Sequence, residues 1–403
     1  MEDWQLNQGH RGSLTPAPEA PLSARKNSQA GYLRLLVEAM MGGESMQRPA
    51  LAQRVGLSRL AVSELLAGLE MRGLVNVQGV LGGVPGRSQL SYALKADAAV
   101  VLGFDVGGSK VAGALADLRG QVLAEITEPT ARTGAADLVA QLGRMAGALR
   151  EVAAIPRLRL RASAVGVPAA VHPATADLSL AGNLPGLEGG NLRAALGQAL
   201  GTEVLIDNDV NLALLAEVSQ GAARGRQNVA FIALGTGIGG ALMVNGRLLR
   251  GAHGGAGEIG YMPLWKIDAP GVPPLEERVG EAGIRRAYVA AGGNPDHSVR
   301  EIFAAAEAGG EAAGAALNMA AEHVARAVLS LLSLVDPDLV VFGGSIGARP
   351  EFIARVERLV AAAWMRPVGI LRSQSGSRAG LVGALELARR HMLEDLFGAL
   401  PAR

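Results

Sequence analysis

Residues 100–115 read VVLGFDVGGSKVAGAL, an apolar strand, a turn of glycine and polar residues, and a second apolar strand. A similar unit recurs at residues 229–244, VAFIALGTGIGGALMV. Glycine turns let backbone amides approach phosphate oxygens, so two facing units of this kind can grip one polyphosphate from both sides. From residue 98 onward, strands alternate with alanine-rich helices, which predicts an α/β fold.

The preceding segment, residues 25–96, has a different pattern. Apolar spacing and helix-stop glycines predict three short helices, and two alternating runs joined by a glycine-rich turn predict a β-hairpin. Ser58 is a favourable N-cap for the third helix. The predicted helices cover residues 28–40, 49–56 and 58–73, and the predicted strands cover 74–77 and 89–94. This combination predicts a winged helix-turn-helix.

In a winged helix-turn-helix the third helix enters the major groove of double-stranded DNA, and the wing reaches the backbone or minor groove. The predicted DNA contacts are therefore Ser58, Arg59 and Ser63 on the third helix and Arg87 at the wing tip. Residues 1–95 carry 10 Lys and Arg against 7 Asp and Glu, a modest basic excess of 3. A small helical docking or dimerisation module is the alternative for this segment.

The amino-acid composition limits the class of protein and the kinds of site that are possible. The 403 residues are 49% hydrophobic and 19% charged, with a formal net charge of +1, which is typical of a globular protein. There is no cysteine, which excludes disulfides and thiolate metal sites. Residues 1–24 are polar and proline-containing, and we expect a disordered arm there. No apolar stretch approaches the roughly 20 residues that span a bilayer, so we expect no membrane partner and a cytoplasmic location.

Further polar and glycine-rich segments follow the first glycine turn in a fixed order. Together they resemble the ROK family, which groups repressors, sugar kinases and related open reading frames. The resemblance implies a two-lobed actin-like ATPase (sugar kinase) fold over residues 97–403. Lobe one would take in about 97–207 and the C-terminal helix, and lobe two about 208–385. The segments are IDNDVN at 206–211, LGTGIGG at 234–240, GEIGYM at 257–262 and VFGGS at 341–345.

The resemblance also implies roles for individual residues. Asp209 would accept the proton of the hydroxyl that a kinase phosphorylates. The sugar-binding residues would be Asn183, Asn208, Asp209, Glu258, Tyr261 and Glu276. The ATP- and phosphate-binding residues would be Asp105, Gly107, Gly108, Ser109, Lys110, Gly235, Thr236, Gly237, Gly343 and Gly344.

Each of these residues also has a purely structural interpretation. Asn183 could make a turn, Asp209 could cap a helix, Glu258 could pair with a surface arginine, and the glycines could belong to ordinary hairpins. For a single residue the structural interpretation is the better one. The joint occurrence of the segments, in the order that the family has, favours the functional one.

The sequence departs from the family at its structural zinc site. Tyr261 stands where the family usually has a histidine, and the stretch 269–276, APGVPPLE, has prolines where the family has cysteines. We therefore expect no metal site. Proline could stiffen this loop in place of the metal.

Fusion to a winged helix resembles the repressor branch of the family, typified by xylose and N-acetylglucosamine regulators. We therefore expect a sugar-responsive regulator of operator DNA, acting as a homodimer or tetramer and requiring no cofactor. The intact phosphate turns keep an alternative open, an ATP-dependent sugar kinase that uses Mg-ATP and carries a fused DNA-binding domain.

Overall fold

The computed structural model describes residues 29–80, 89–131, 133–180, 191–264 and 273–398. It divides into two compact units: one takes in the described residues up to Lys95 together with those from Leu393, and the other takes in Ala96–Met392. The predicted arm, the wing-tip Arg87 and Asn183 lie outside the described residues. Among the helices of the described residues, none is long and apolar enough to cross a membrane.

The N-terminal unit combines helices with a small antiparallel sheet of order β1-β3-β2. Ser58 begins α3 as predicted, since its hydroxyl accepts a hydrogen bond from the Ala61 amide at 3.2 Å. Val62, Leu66 and Leu69 form the buried face of this helix. The elements are α1 (Gln29–Met40), β1 (Met46–Gln47), α2 (Arg48–Val55), α3 (Arg59–Met71), β2 (Val75–Val80) and β3 (Gln89–Leu94).

The end of the last helix, α12 (Ala379–Phe397), belongs to this same unit. The Arg72 guanidinium donates to the Leu396 carbonyl at 2.8 Å and lies 5.5 Å from the centre of the Phe397 ring. Phe397 is buried. The expectation that the whole C-terminal helix belongs to lobe one is thus wrong for its last turn, which buries an aromatic side chain in the N-terminal unit.

The larger unit is built on two five-stranded sheets, which define its two lobes. The first has the order β10-β7-β4-β5-β6 and the second β13-β12-β11-β14-β15. The first lobe holds β4 (Val100–Val106), β5 (Lys110–Asp117), β6 (Val122–Pro129), α4 (Ala135–Val152), β7 (Leu160–Val167), β8 (Ala170–Val171), β9 (Leu178–Ser179), α5 (Leu192–Leu200) and β10 (Glu203–Asn208). From α6 (Asp209–Gln220) onward, the second lobe holds β11 (Val229–Leu234), β12 (Ile238–Val244), β13 (Arg247–Leu248), α7 (Glu276–Val279), α8 (Glu281–Ala290), α9 (Val299–Glu307), α10 (Glu311–Val335), β14 (Leu339–Gly343), α11 (Pro350–Ala363) and β15 (Gly369–Arg372).

Both glycine turns join antiparallel neighbours. The first connects β4 to β5, where Val106 pairs with Val111, and the second connects β11 to β12, where Leu234 pairs with Ile238. Each sheet buries apolar side chains against its own helices, so each lobe has a separate hydrophobic cluster. The two turns are therefore equivalent positions in two similar lobes.

Two helices link the lobes. Helix α6 packs against strands of both sheets. Helix α12 crosses it closely: a Cβ atom on Gly383 would lie 1.8 Å from the Leu212 carbonyl oxygen, so only glycine fits there. One turn earlier, a Cβ on Gly380 would lie 2.6 Å from the Asp105 carboxyl carbon. The crossing thus places the starts of both helices beside the polar ends of β4 and β10.

Candidate functional site

The start of α6 is fixed by its own side chains. The Asn208 side-chain oxygen Oδ1 accepts hydrogen bonds from the backbone amides of Val210 and Asn211, at 2.8 and 3.2 Å, and the side-chain nitrogen Nδ2 donates to the Ala169 carbonyl at 3.1 Å. Asn208 is therefore the N-cap, and the alternative that Asp209 caps this helix is wrong. Both oxygen lone pairs of Asn208 are used, which leaves one amide hydrogen for the predicted contact with a sugar.

Asp209 is the first residue of α6 and one of four acidic side chains that we call the carboxylate cluster: Asp105, Asp209, Glu258 and Glu276. Burial, together with the charges of Asp105 and Glu258, raises the pKa of Asp209 to about 7. Burial likewise raises the pKa of Asp105 to about 6, against the opposing effect of Lys110. The chain separates Asp105, Asp209 and Glu258 widely, yet in the folded protein the charges of the other two act on Asp209.

Glu258 and Glu276 complete the cluster from the second lobe. Burial raises the pKa of Glu258, and the charge of Glu276 adds to the effect. Pairing with a surface arginine would lower this pKa, so the alternative interpretation of Glu258 is not supported. Glu276 accepts a hydrogen bond from the Ile238 amide at 3.1 Å, which ties it to the second glycine turn. A cluster of this kind suits a ligand with several hydroxyl donors.

The first glycine turn is held by Thr130, the residue that follows β6. The Thr130 hydroxyl donates to the Gly107 carbonyl at 2.7 Å, and the Thr130 amide donates to the Ser109 carbonyl at 3.1 Å. These bonds use carbonyl groups of the turn. Ser109 and Lys110 are exposed, and Gly107 and Gly108 are half-buried.

The second glycine turn packs tightly against its surroundings. A Cβ on Gly237 would lie 2.2 Å from a Glu276 carboxylate oxygen, and one on Gly235 would lie 3.1 Å from the Ser345 hydroxyl. Thr236 is exposed. A larger residue at position 237 would therefore displace the Glu276 carboxylate, a consequence that sequence alone does not reveal.

The late glycine pair has two different roles. Gly343 is buried at the end of β14, where a Cβ would lie 2.6 Å from the Phe231 ring, so packing explains this glycine. Gly344 is exposed with a φ of +82°. A Cβ on Gly344 would lie 2.2 Å from the Leu234 carbonyl oxygen. Of these two glycines, only Gly344 is exposed.

The predicted DNA contacts lie at the start of α3. Arg59 is exposed, and so is its neighbour Leu60, at 72%. The hydroxyls of Ser58 and Ser63 are both used within the helix, since Ser58 caps it and Ser63 donates to the Arg59 carbonyl at 2.9 Å. Arg59 is thus the predicted contact with the freest side chain in the described part of this helix.

The region of the family's zinc site is only partly described. Tyr261 is 37% exposed at the end of a short 3-10 turn, and residues 265–272 lie outside the described residues. Within the described residues, no group of three or more His, Asp or Glu side chains is arranged to hold a metal ion.

Sequence reasoning missed two buried carboxylates. Asp207 is 3% exposed and forms an ion pair with Arg250, 43 residues later. Glu217, fully buried at the end of α6, accepts hydrogen bonds from the Ser373 hydroxyl and the Ser375 amide, at 2.6 and 2.8 Å. Their partners are distant in sequence, so no local pattern identifies them. The only available signal was Asp207 itself, which lies in the quoted segment IDNDVN.

Comparisons with known proteins agree with this architecture. A bifunctional enzyme NanE/NanK of Brucella melitensis is 34% identical over 298 residues, which cover 72% of this chain and 54% of that protein. The chain therefore spans about half the length of this relative and of its counterpart in Brucella suis, of which it covers 53%.

Solved structures match one or both units. A ROK family glucokinase from Streptomyces griseus, in complex with glucose and AMPPNP, superposes with a TM-score of 0.60 at 25% identity, covering 72% of this chain and 99% of that one. A ROK family transcriptional regulator, a homolog of the E. coli MLC protein, superposes with a TM-score of 0.76 over 92% of this chain and 98% of that one. At 19% identity, the second likeness concerns the fold alone.

The family model for ROK matches residues 101–391, most of the larger unit. Its span includes the whole carboxylate cluster and both glycine turns. The chain therefore belongs to the ROK family.

Proposed function

We propose that this protein is a sugar-responsive transcription regulator of the repressor type. In this proposal the N-terminal unit is a winged helix-turn-helix that binds double-stranded operator DNA, and a small sugar binds at the carboxylate cluster. The observation that carries the proposal is the N-terminal unit itself, three helices and an antiparallel sheet with Arg59 exposed at the start of α3. A sugar kinase has no need of such a unit.

The chemistry of the cluster supports the proposal of sugar binding. Asp209 and Glu258 come from different lobes, and their carboxylates accept hydrogen bonds from hydroxyl groups, which is how a neutral sugar would satisfy both. A ligand that binds one arrangement of the lobes better than another shifts the population between them, and DNA affinity changes when the two states differ in it. We expect a homodimer or tetramer, because operators of this type of regulator are symmetric.

Binding to a duplex from the region upstream of the protein's own gene tests the regulator. We expect a footprint whose affinity changes with at least one hexose, N-acetylhexosamine or xylose, and about tenfold weaker binding in Arg59→Ala. Arg300→Ala, an exposed arginine of the larger unit, serves as the matched control. Absence of binding at every salt concentration would rule out the regulator.

A specific observation also favours a second candidate, an ATP-dependent sugar kinase. The pKa of Asp209, raised to about 7, suits a group that accepts a proton near neutral pH. The glycine turns and the Asp105 carboxylate would hold Mg-ATP, which supplies the phosphoryl group when bound. Asp209 would orient the sugar hydroxyl and accept its proton.

A coupled assay of ADP release with the same sugars tests the kinase. Turnover in the wild type that disappears in Asp209→Asn would establish it. A wild type without turnover would leave the regulator as the only proposed function.

A further inference from the structure

The segment 249–257, which we call the strap, leaves β13 of the second lobe and leads directly to Glu258. At its start, Arg250 reaches the first lobe: Nε and Nη2 both donate to Asp207 Oδ2, at 3.0 and 2.6 Å. Asp207 is 3% exposed in β10. An ion pair between a half-buried guanidinium and a buried carboxylate thus joins the strap of one lobe to an edge strand of the other lobe's sheet.

Two further contacts hold the strap against the first lobe. Gly254 has a φ of +83°, and a Cβ there would lie 2.1 Å from the Val171 carbonyl oxygen, so the two backbones touch. The rings of His253 and His172 lie beside this contact, with centroids 5.9 Å apart and planes inclined at 43°. Val171 ends β8, so the strap contacts the first lobe at more than one point.

Asp207 also holds the first turn of α6. Its second oxygen, Oδ1, accepts hydrogen bonds from the Asn208 amide and from Asn211 Nδ2, both at 2.9 Å. Asn211 Oδ1 is buried and accepts no hydrogen bond from any described residue. The orientation of the Asn211 side chain therefore depends on Asp207. One carboxylate fixes both the strap and the start of α6.

We propose that the Arg250–Asp207 pair is the positioning device of the sugar site: it sets Glu258, at the end of the strap, opposite Asp209, at the start of α6. The inference rests on the proposed binding of a sugar at the carboxylate cluster. Neither member of the pair belongs to the cluster, so both are positioning residues.

A purely stabilising role is the competing explanation. Removing one partner of a buried ion pair leaves an uncompensated charge and is strongly destabilising, whereas removing both charges is often neutral. The double variant Arg250→Met/Asp207→Asn therefore separates the two explanations. It leaves no unpaired charge and is expected to fold, but it no longer fixes the strap to β10.

Hydrogen exchange of the ligand-free protein is the first measurement. We expect residues 251–258 to exchange about tenfold faster in the double variant than in the wild type, while β11 and β14 stay unchanged. The matched control is Arg247→Met, an exposed arginine of β13. Equal exchange of the strap in the wild type and the double variant would overturn the proposal.

Sugar affinity, measured by calorimetry with the sugar that the wild type binds, is the second measurement. We expect affinity to fall about tenfold or more in the double variant although its melting temperature stays close to that of the wild type. Arg250→Lys, which keeps the charge, should recover part of the loss. If the double variant binds as tightly as the wild type, the pair only stabilises the fold. If the wild type binds no sugar, the proposed function fails, and the exchange of the strap still decides whether the pair positions Glu258.

Discussion

Replacing Asp209 with asparagine should make the stability of the protein depend differently on pH. In the folded protein the pKa of Asp209 is raised from 3.8 to about 7, mainly by burial. A raised folded-state pKa gives stability that is complete below the unfolded-state value and is lost as the pH rises through the folded-state value. The wild type therefore loses stability between about pH 4 and pH 7, and the neutral asparagine carries no such penalty.

The size of the effect follows from the pKa change. About three pKa units at about 1.4 kcal/mol each give an upper limit of about 4 kcal/mol in the free energy of unfolding. Relative to the wild type, Asp209→Asn should thus gain up to this amount between pH 4 and pH 8. Part of this limit comes from the charges of Asp105 and Glu258, which add to the raised pKa of Asp209 and have no such effect on a neutral asparagine.

Urea unfolding followed by circular dichroism at several pH values measures this gain. Asp338→Asn, a change of the same kind at an exposed position, is the control and should differ from the wild type by a constant amount. A difference between Asp209→Asn and the wild type that stays constant from pH 4 to pH 8 would refute the view that Asp209 is buried among other carboxylates.

Three further changes test the framework around the site. Gly383→Ala should lower the free energy of unfolding by about 2–3 kcal/mol, because its Cβ would lie 1.8 Å from the Leu212 carbonyl oxygen; chemical denaturation measures this. Glu217→Gln should lower the free energy of unfolding by about 3 kcal/mol at pH 7, since it weakens several charge-assisted hydrogen bonds. These bonds outweigh the effect of burial and lower the pKa of Glu217 from 4.5. The loss of stability should therefore shrink as the pH falls below 4.5 in the same assay. Ser58→Ala should cost about 1 kcal/mol by removing the N-cap of α3, detectable in a thermal melt.

Matched changes show which outcomes would contradict these expectations. Gly147 lies in α4 with open space around its Cβ position, so Gly147→Ala should stabilise by about 1 kcal/mol. If Gly383→Ala raises the free energy of unfolding as Gly147→Ala does, then α6 and α12 do not cross as closely as described. A cost of Glu217→Gln that is the same at pH 3 and pH 7 would show that its charge plays no part.

Local chemistry explains what the sequence could predict. The helices of the N-terminal unit are found where the caps and stop glycines place them, because Ser58 and Gly56 act on neighbouring backbone. Strand β11 is the first apolar strand of the unit predicted at residues 229–244, and it ends where glycine follows its apolar run. The two-residue strand β1 was not predicted, because it exists only through its pairing with β3.

Long-range chemistry explains what the sequence could not predict. Asn208 is expected to bind a sugar, and the structure adds a role that the sequence did not predict, because both of its oxygen lone pairs cap α6. Asp207, its neighbour, received no role because its partner Arg250 lies on another lobe. Glu258 was identified through a family resemblance, and its charge coupling to Asp209 appears only in three dimensions. Residues whose roles depend on distant partners are thus the ones that pattern reasoning misses.

Calorimetric titration of the protein with glucose, N-acetylglucosamine and xylose is the most direct test of sugar binding at the carboxylate cluster. We expect the wild type to bind at least one of them and Glu258→Gln to bind it at least about tenfold more weakly. A wild type that binds none of a wider panel of neutral sugars, or a Glu258→Gln variant that binds as tightly as the wild type, would contradict the account.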